Sequence, residues 1–147
     1  MMTAVHTILL AEDNANDAEL TLAALREHRI ANEVVVVRDG AGALDYLYRR
    51  GAFHDRAPDA PGLILLDLKM PKVDGLEVLK VVKSDPDFKS IPVVILTSSR
   101  EEADLVRSYG LGVNAYVVKP VVFKDFMDAV KALGQFWAMV NELPPRK

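Results

Sequence analysis

The stretch Gly62-Leu63-Ile64-Leu65-Leu66-Asp67-Leu68-Lys69-Met70-Pro71-Lys72-Val73-Asp74-Gly75 decides the fold of this chain. A short apolar run, Leu63 to Leu66, ends abruptly in a carboxylate; four residues later Pro71 stops regular structure, and Asp74-Gly75 opens a new segment. An apolar run this short, with turn signals on both sides, predicts a strand buried on both faces. Asp67 then sits where a central strand leaves the core. An isolated charge there is costly unless something pairs with it.

Working outward, four more short runs share this character. Thr7 to Ala11 is apolar and ends in Glu12-Asp13-Asn14. Glu33 to Val37 is β-branched and strand-like, with Arg38-Asp39-Gly40 as its exit turn. Ile91 to Leu96 ends in Thr97-Ser98-Ser99, and Pro92 near its start is tolerated because its missing N–H falls at a strand end. Ala115 to Val118 ends in Lys119-Pro120. Between the runs lie segments of helical spacing. Ala15 to His28 carries Ala15, Ala18, Leu22 and Leu25, with Asn14 or Asn16 as its cap and Asp17 and Glu19 suited to its first turn. Ala41 to Arg50, Leu76 to Lys83 and Glu101 to Tyr109 are predicted helices, the second ended by Asp85-Pro86 and the third by Gly110. Gly51 to Gly62 has little periodicity and is predicted to be a surface loop. Val122 to Asn141 is the last helix, and Pro144-Pro145 ends the fold. Strand and helix thus alternate five times. That pattern predicts an α/β fold, an open parallel sheet covered on both faces, with its site at the carboxyl ends of the strands.

Composition narrows the function. With 147 residues the chain has the length of one domain and needs no metal or disulfide to fold. Its formal net charge of −3 argues against nucleic acid as a partner. It has no cysteine, which excludes thiol chemistry and fits a reducing compartment. The start, Met1 to His6, lacks a signal peptide's basic and apolar regions, and no apolar run approaches a membrane span. The expected place is the cytoplasm, away from any membrane. The histidines His6, His28 and His54 show no metal-ligand spacing and are expected at the surface.

Four of the five strands end in a reactive polar residue: Glu12 and Asp13, Asp67, Thr97, and Lys119. In a parallel sheet these ends share one edge, so the side chains converge. Singly, each has an ordinary explanation: a carboxylate or threonine as a helix cap, a lysine in solvent. No capping argument, however, asks for Lys-Pro at the one remaining strand end. Two carboxylates about 4 Å apart repel by roughly 4 kcal/mol at an effective dielectric near 20. Asp13 and Asp67, with Glu12 nearby, therefore call for a cation. An oxygen-only site of few ligands suits Mg²⁺, which rests on one or two carboxylates plus a substrate phosphate. Lys119 adds a fixed cation and Thr97 a hydroxyl donor, the equipment for holding a phosphoryl group. No His or Cys offers itself as a nucleophile, and Asp67, on the central strand, is the natural acceptor.

The order and spacing of Glu12-Asp13, Asp67 before Met70-Pro71 and Asp74-Gly75, Thr97-Ser98, Tyr116 and Lys119-Pro120 resemble the receiver domain of two-component response regulators over nearly the whole chain. The resemblance implies a flavodoxin-like doubly wound sheet of strand order 2-1-3-4-5. It implies that Asp67 takes a phosphoryl group from the phosphohistidine of a sensor histidine kinase. It implies Mg²⁺ held by Asp13, Asp67 and the Lys69 backbone carbonyl, with Glu12 acting through water, and a cis Lys119-Pro120 bond. Thr97 and Tyr116 would be the switch residues, moving toward the phosphoryl group, with helix four, strand five and helix five as the signalling face. Lys69 and Ser99, each two residues beyond a key position, border the phosphoryl group in this family and tune its loss. Such a protein catalyses only its own phosphorylation and dephosphorylation.

After Lys119 only 28 residues follow, enough for a helix and a tail, so residues 1–147 are expected to be one receiver domain with a core about 6–141 and no output domain. Its output would be docking to a target or passing the phosphoryl group to a phosphotransfer protein. Phe123, Phe126, Met127, Val130, Leu133, Trp137 and Val140 form one apolar stripe on the last helix, and Val122, Ala129, Phe136 and Met139 extend it beyond what one core needs. Such a patch marks an interface, and the expectation is a homodimer through strand five and helix five. The opening Glu12-Asp13-Asn14 with Asn16-Asp17, the long loop before strand three and the extended last helix resemble the stand-alone regulators paired with bacterial and cyanobacterial phytochromes. A phytochrome kinase is then the implied partner. Two other classes compete. A haloacid-dehalogenase-type phosphatase would place two acids two residues apart after its first strand, but position 15 is alanine. A phosphorylation-independent receiver-like adaptor would typically lose an acid or the lysine, and this chain keeps them all.

Overall fold

The fold is that of a computed structural model, which describes residues 7–27, 32–70, 72–108, 110, 111, 113 and 115–132. The expectations for Pro71, His6, His28, Leu133, Phe136, Trp137, Met139, Val140 and the Pro144-Pro145 tail fall outside the described residues. The elements alternate as β1 (Ile8–Ala11), α1 (Ala15–Glu27), β2 (Val34–Val37), α2 (Gly40–Tyr48), β3 (Leu63–Asp67), α3 (Gly75–Ser84), β4 (Val93–Thr97), α4 (Arg100–Ser108), β5 (Tyr116–Val118) and α5 (Phe123–Ala132). All strand pairs are parallel, and the sheet order is β2-β1-β3-β4-β5, as the receiver resemblance implies.

The two faces of the sheet divide the apolar residues by parity. Leu9, Ala11, Ile64, Leu66 and Ile95 pack with Ala43, Tyr46 and Leu47 of α2, Val78, Leu79 and Val82 of α3 and Val106 of α4. Ile8, Leu10, Leu63, Leu65, Val94 and Leu96 pack with Ala18 and Leu25 of α1 and Phe126, Met127 and Val130 of α5. Successive strand side chains point to opposite faces, so an uninterrupted apolar run is what a doubly covered strand requires. Ala129 joins this second core at 7% exposure, so it fills the interior; the expectation that it widens an apolar surface patch is corrected. Val122, at 48%, is exposed as expected.

Local chemistry sets the boundaries. Asn14 is the cap of α1: its Oδ1 accepts the Asp17 N–H at 2.9 Å. Ala15 is exposed, so the inward face of α1 starts at Ala18. Asp39 caps α2 and Asp74 caps α3, each through a backbone N–H three residues on. The loop before β3 is tied down in a way its composition did not announce. The Arg56 guanidinium donates to the carbonyls of Tyr46 and Leu47 at the end of α2 and to those of Ala57 and Asp59. It also lies 4.3 Å from the Tyr46 ring centroid, so one cation adds donors to the carbonyls at the helix end and pins the loop.

Candidate functional site

Two backbone bonds tie neighbouring strand ends together, and a third ties the exit of β3 to the start of α3. The Glu12 N–H donates to Val37 O at 3.0 Å, the Lys119 N–H to Thr97 O at 2.8 Å, and the Gly75 N–H to Leu68 O at 2.9 Å. The peptide bond Lys119-Pro120 is cis, as expected. The ammonium of Lys119 reaches back over the sheet edge to Glu12 Oε1 at 3.1 Å, Asp67 Oδ2 at 3.2 Å and Asp17 Oδ2 at 3.1 Å. Burial works against its charge, but the hydrogen bonds to Asp17 and Glu12 and the Asp67 charge outweigh it and hold the ammonium well above the usual lysine range.

The carboxylates share the converse problem. One oxygen each of Glu12, Asp13 and Asp67 lies within 4.8 Å of the others; Glu12 and Asp67 are buried and Asp13 is exposed. Burial pushes the Glu12 carboxyl up to about 7, helped by its hydrogen bond to Asp67 and the Asp67 charge, and opposed by Lys119 and the Asn14 N–H. The second Asp67 oxygen accepts the Lys69 N–H at 3.3 Å. The cluster offers oxygen donors alone, with excess negative charge and an open side. That donor set fits a hard divalent cation and no soft one. Beside it is a cavity of about 210 Å³ lined by Asp13, Asp17, Asp67, Lys69, Glu102 and Lys119, among others. A clustered set of acids, a fixed ammonium and a small open cavity can hold a phosphoryl-sized anion and neutralise the charge on its oxygens.

Of the residues singled out in the sequence, Glu12, Asp13, Asp67 and Lys119 converge as expected. Thr97 is fully buried, and its hydroxyl reaches Glu102 Oε1 at 2.8 Å and Ser99 O at 2.9 Å. Lys69 directs its ammonium to Glu102 Oε2 at 3.3 Å. Tyr116 is half-buried on β5 and lines a groove of about 490 Å³ with Arg100, Val118, Asp125 and Asp128. The roles of two participants escaped the sequence reading. Asp17, read as a first-turn acid and as part of the opening that resembles phytochrome-paired regulators, is also the third carboxylate on Lys119. Glu102 was not singled out at all. Its signal was present: Ser99-Arg100-Glu101-Glu102 is a capping-box spacing, which aims a glutamate back toward the preceding strand end.

A parallel five-stranded sheet whose carboxyl edge gathers three acids, a threonine and a lysine on a cis Lys-Pro bond defines a receiver-type phosphorylation domain. The response regulator receiver domain matches residues 8–131, and the chain belongs to that family. Over 137 residues it is 42% identical to the response regulator Rcp1 of Synechocystis sp., covering 93% of this chain and 92% of that one. The Mn²⁺-bound form of Rcp1 superposes with a TM-score of 0.72 at 41% identity, covering 95% of this chain and 99% of that one. The bacteriophytochrome response regulator RtBRR superposes with a TM-score of 0.89 at 60% identity, over 97% of this chain and 86% of that one. The corresponding values for the bacteriophytochrome response regulator AtBRR are 0.90, 60%, 95% and 100%.

Proposed function

We propose that Asp67 is the phosphoacceptor of this receiver and that the phosphoryl group comes from the phosphohistidine of a bacteriophytochrome-type histidine kinase. The observation that carries the reading is Lys119 Nζ, held between Glu12, Asp17 and Asp67, at the lip of a cavity sized for a small anion. The kinase type rests on the 60% identity to two regulators named for bacteriophytochromes.

In the reaction an Asp67 carboxylate oxygen forms the new bond to phosphorus as the phosphorus–nitrogen bond of the donor histidine breaks, leaving the electron pair on the ring nitrogen. Lys119 places a permanent positive charge beside the Asp67 oxygen that it already contacts. Asp13, Asp67 and the Lys69 carbonyl would hold Mg²⁺, with Glu12 acting through water. When bound, this ion supplies the charge that lets a phosphoryl group approach three carboxylates. Thr97 and Tyr116 carry the response to the face formed by α4, β5 and α5. The exposed Leu105 and Val122 and the groove beside Tyr116 make that face suited to a partner, and a second copy is the partner we favour.

The test is intact-protein mass after incubation with acetyl phosphate and Mg²⁺. One phosphoryl group is expected on the native protein, none on Asp67→Asn, and none with EDTA. A second arm supplies phosphorylated bacteriophytochrome kinase and an unrelated histidine kinase at equal concentration. Faster transfer from the bacteriophytochrome kinase is expected, and equal or slower transfer would remove that partner. No Asp67-dependent adduct from any donor would overturn the acceptor assignment.

A further inference from the structure

A hydroxyl has one proton to donate. In this structure the Thr97 hydroxyl faces Glu102 and the Ser99 carbonyl, and it accepts the Ser99 N–H at 3.3 Å. Glu102 gathers more than that one bond. Its carboxylate accepts from Ser98 Oγ at 3.2 Å and pairs with Lys69 Nζ at 3.3 Å, while its own N–H donates to Ser99 Oγ at 3.2 Å. Burial opposes its charge, but the bonds from Thr97, Lys69 and the Ser98 N–H outweigh it and hold its carboxyl below the usual range. Glu102 also lines the cavity beside Asp67, so its charge faces the space an incoming anion must fill.

We propose that Glu102 is the latch of the resting receiver: its carboxylate holds the Thr97 hydroxyl and the Lys69 ammonium, two donors that a phosphoryl group on Asp67 recruits beside Lys119. The inference rests on Asp67 being the acceptor. An ordinary capping-box glutamate returns to the N–H of its cap residue and ends there. Here the cap residue is Ser99, and the carboxylate passes it to reach Thr97 at the end of β4 and Lys69 after β3. Three segments of the site therefore depend on one anion on the first turn of α4. Phosphorylation supplies a competing anion. Thr97 and Lys69 turn to it, and the Glu102 carboxylate loses its bonds to Thr97 at the end of β4 and to Lys69 after β3 in the same step. The cost of breaking the latch is subtracted from the affinity for any phosphoryl-like ligand. Glu102 is thus a positioning residue that sets the threshold of the switch.

The test titrates beryllofluoride, a phosphoryl mimic, into the Mg²⁺-loaded full chain and reads affinity by calorimetry, with an unfolding midpoint for each variant. Glu102→Ala leaves Thr97 with only a neutral carbonyl competitor, and binding is expected to tighten about fivefold to tenfold, the difference between a charge-assisted and a neutral hydrogen bond. Glu102→Gln keeps an acceptor for Thr97 and loses the charge, and a gain of about threefold is expected. In a Thr97→Val background the gain from Glu102→Ala should shrink, because the shared hydrogen bond is already gone. A merely structural cap would lower the unfolding midpoints and leave the affinities alone. Unchanged or weaker binding by Glu102→Ala, or by Glu102→Gln should the alanine variant not fold, overturns the latch while native binding leaves the acceptor reading standing. Failure of the native protein to bind beryllofluoride overturns both.

Discussion

Glu12 is fully buried between Lys119 and Asp67, and its carboxyl titrates near 7 because burial and the Asp67 charge both favour the protonated form. In the unfolded chain the same group loses its proton in the ordinary carboxylate range. Between that range and about pH 7 the folded chain holds the extra proton. Stability contributed by Glu12 is therefore greatest at the acid end of the window and falls as pH rises through it. Urea unfolding of the metal-free protein in EDTA should show this loss between pH 5 and 7.5, and Glu12→Gln should flatten it; an unchanged slope in that variant would place the titration elsewhere. The acids at the strand ends were legible from sequence because the strand ends of a parallel sheet share one edge, where several charges meet and must be paired. Asp17 and Glu102 were not. An acid on the first turn of a helix is what the helix dipole favours anyway, which hides the second role of Asp17, and the capping-box spacing of Glu102 points back to the strand end without naming Thr97 or Lys69 as its partners.

At the scale of elements, the join between β3 and α3 brings the helix start directly against the backbone of Asp67. Asp74 Oδ1 accepts the Glu77 N–H at 2.9 Å and starts the helix, while a Cβ on Gly75 would collide with the Asp67 carbonyl. The helix can therefore begin directly against the strand that carries Asp67 only because residue 75 has no side chain. Gly75→Ala should cost about 1–3 kcal/mol through overpacking and slow phosphoryl uptake, since the clash falls on Asp67's own backbone. Asp74→Ala should cost about 1 kcal/mol as a lost cap and leave most of the uptake rate intact. Chemical denaturation and adduct mass on the two variants separate these effects; equal uptake rates would mean that the close approach at Gly75 has no bearing on the site. The strands and α-helices were legible from the alternation of apolar runs and helical spacing, whereas the short 3-10 turn Gly51–Phe53 lies in the stretch expected to be a loop. The ends moved by one or two residues, as at β4, expected over 91–96 and found at Val93–Thr97. That shift matters, because it makes Thr97 the last residue of the strand and pairs it with Val118, one residue before Lys119. The role of Arg56 was hidden for a different reason: its partners are backbone carbonyls, which leave no mark in a sequence pattern.

For the whole molecule, the parity of the strand residues assigns α1 and α5 to one face of the sheet and α2, α3 and α4 to the other. β5 is the last strand of the sheet, and α5 covers it from one side only, so the α4-β5-α5 surface is where the sheet meets solvent or a partner. The apolar stripe in the sequence of the last helix divides accordingly. Among the described residues, Phe126 and Val130 are fully buried in the chain's own core, Met127 and Ala129 nearly so, and Val122, just before α5, is exposed. Lys124 and Asp128 pair across the exposed flank at 2.8 Å, a charge pattern that a symmetric partner can border without burying an unpaired ion. In a twofold interface every contact occurs twice, so a substitution is counted twice in the dissociation free energy. Burying one Val side chain contributes about 1.5 kcal/mol, and two copies make about 3 kcal/mol, or roughly a hundredfold in Kd. Val122→Glu should therefore shift a native dimer to monomer at concentrations near the native Kd, as read by sedimentation velocity, while the native mass adduct on Asp67 still forms. Identical sedimentation of the two proteins as dimers would move the interface off this face, and a native monomer at high concentration would leave the α4-β5-α5 surface for a different protein to cover.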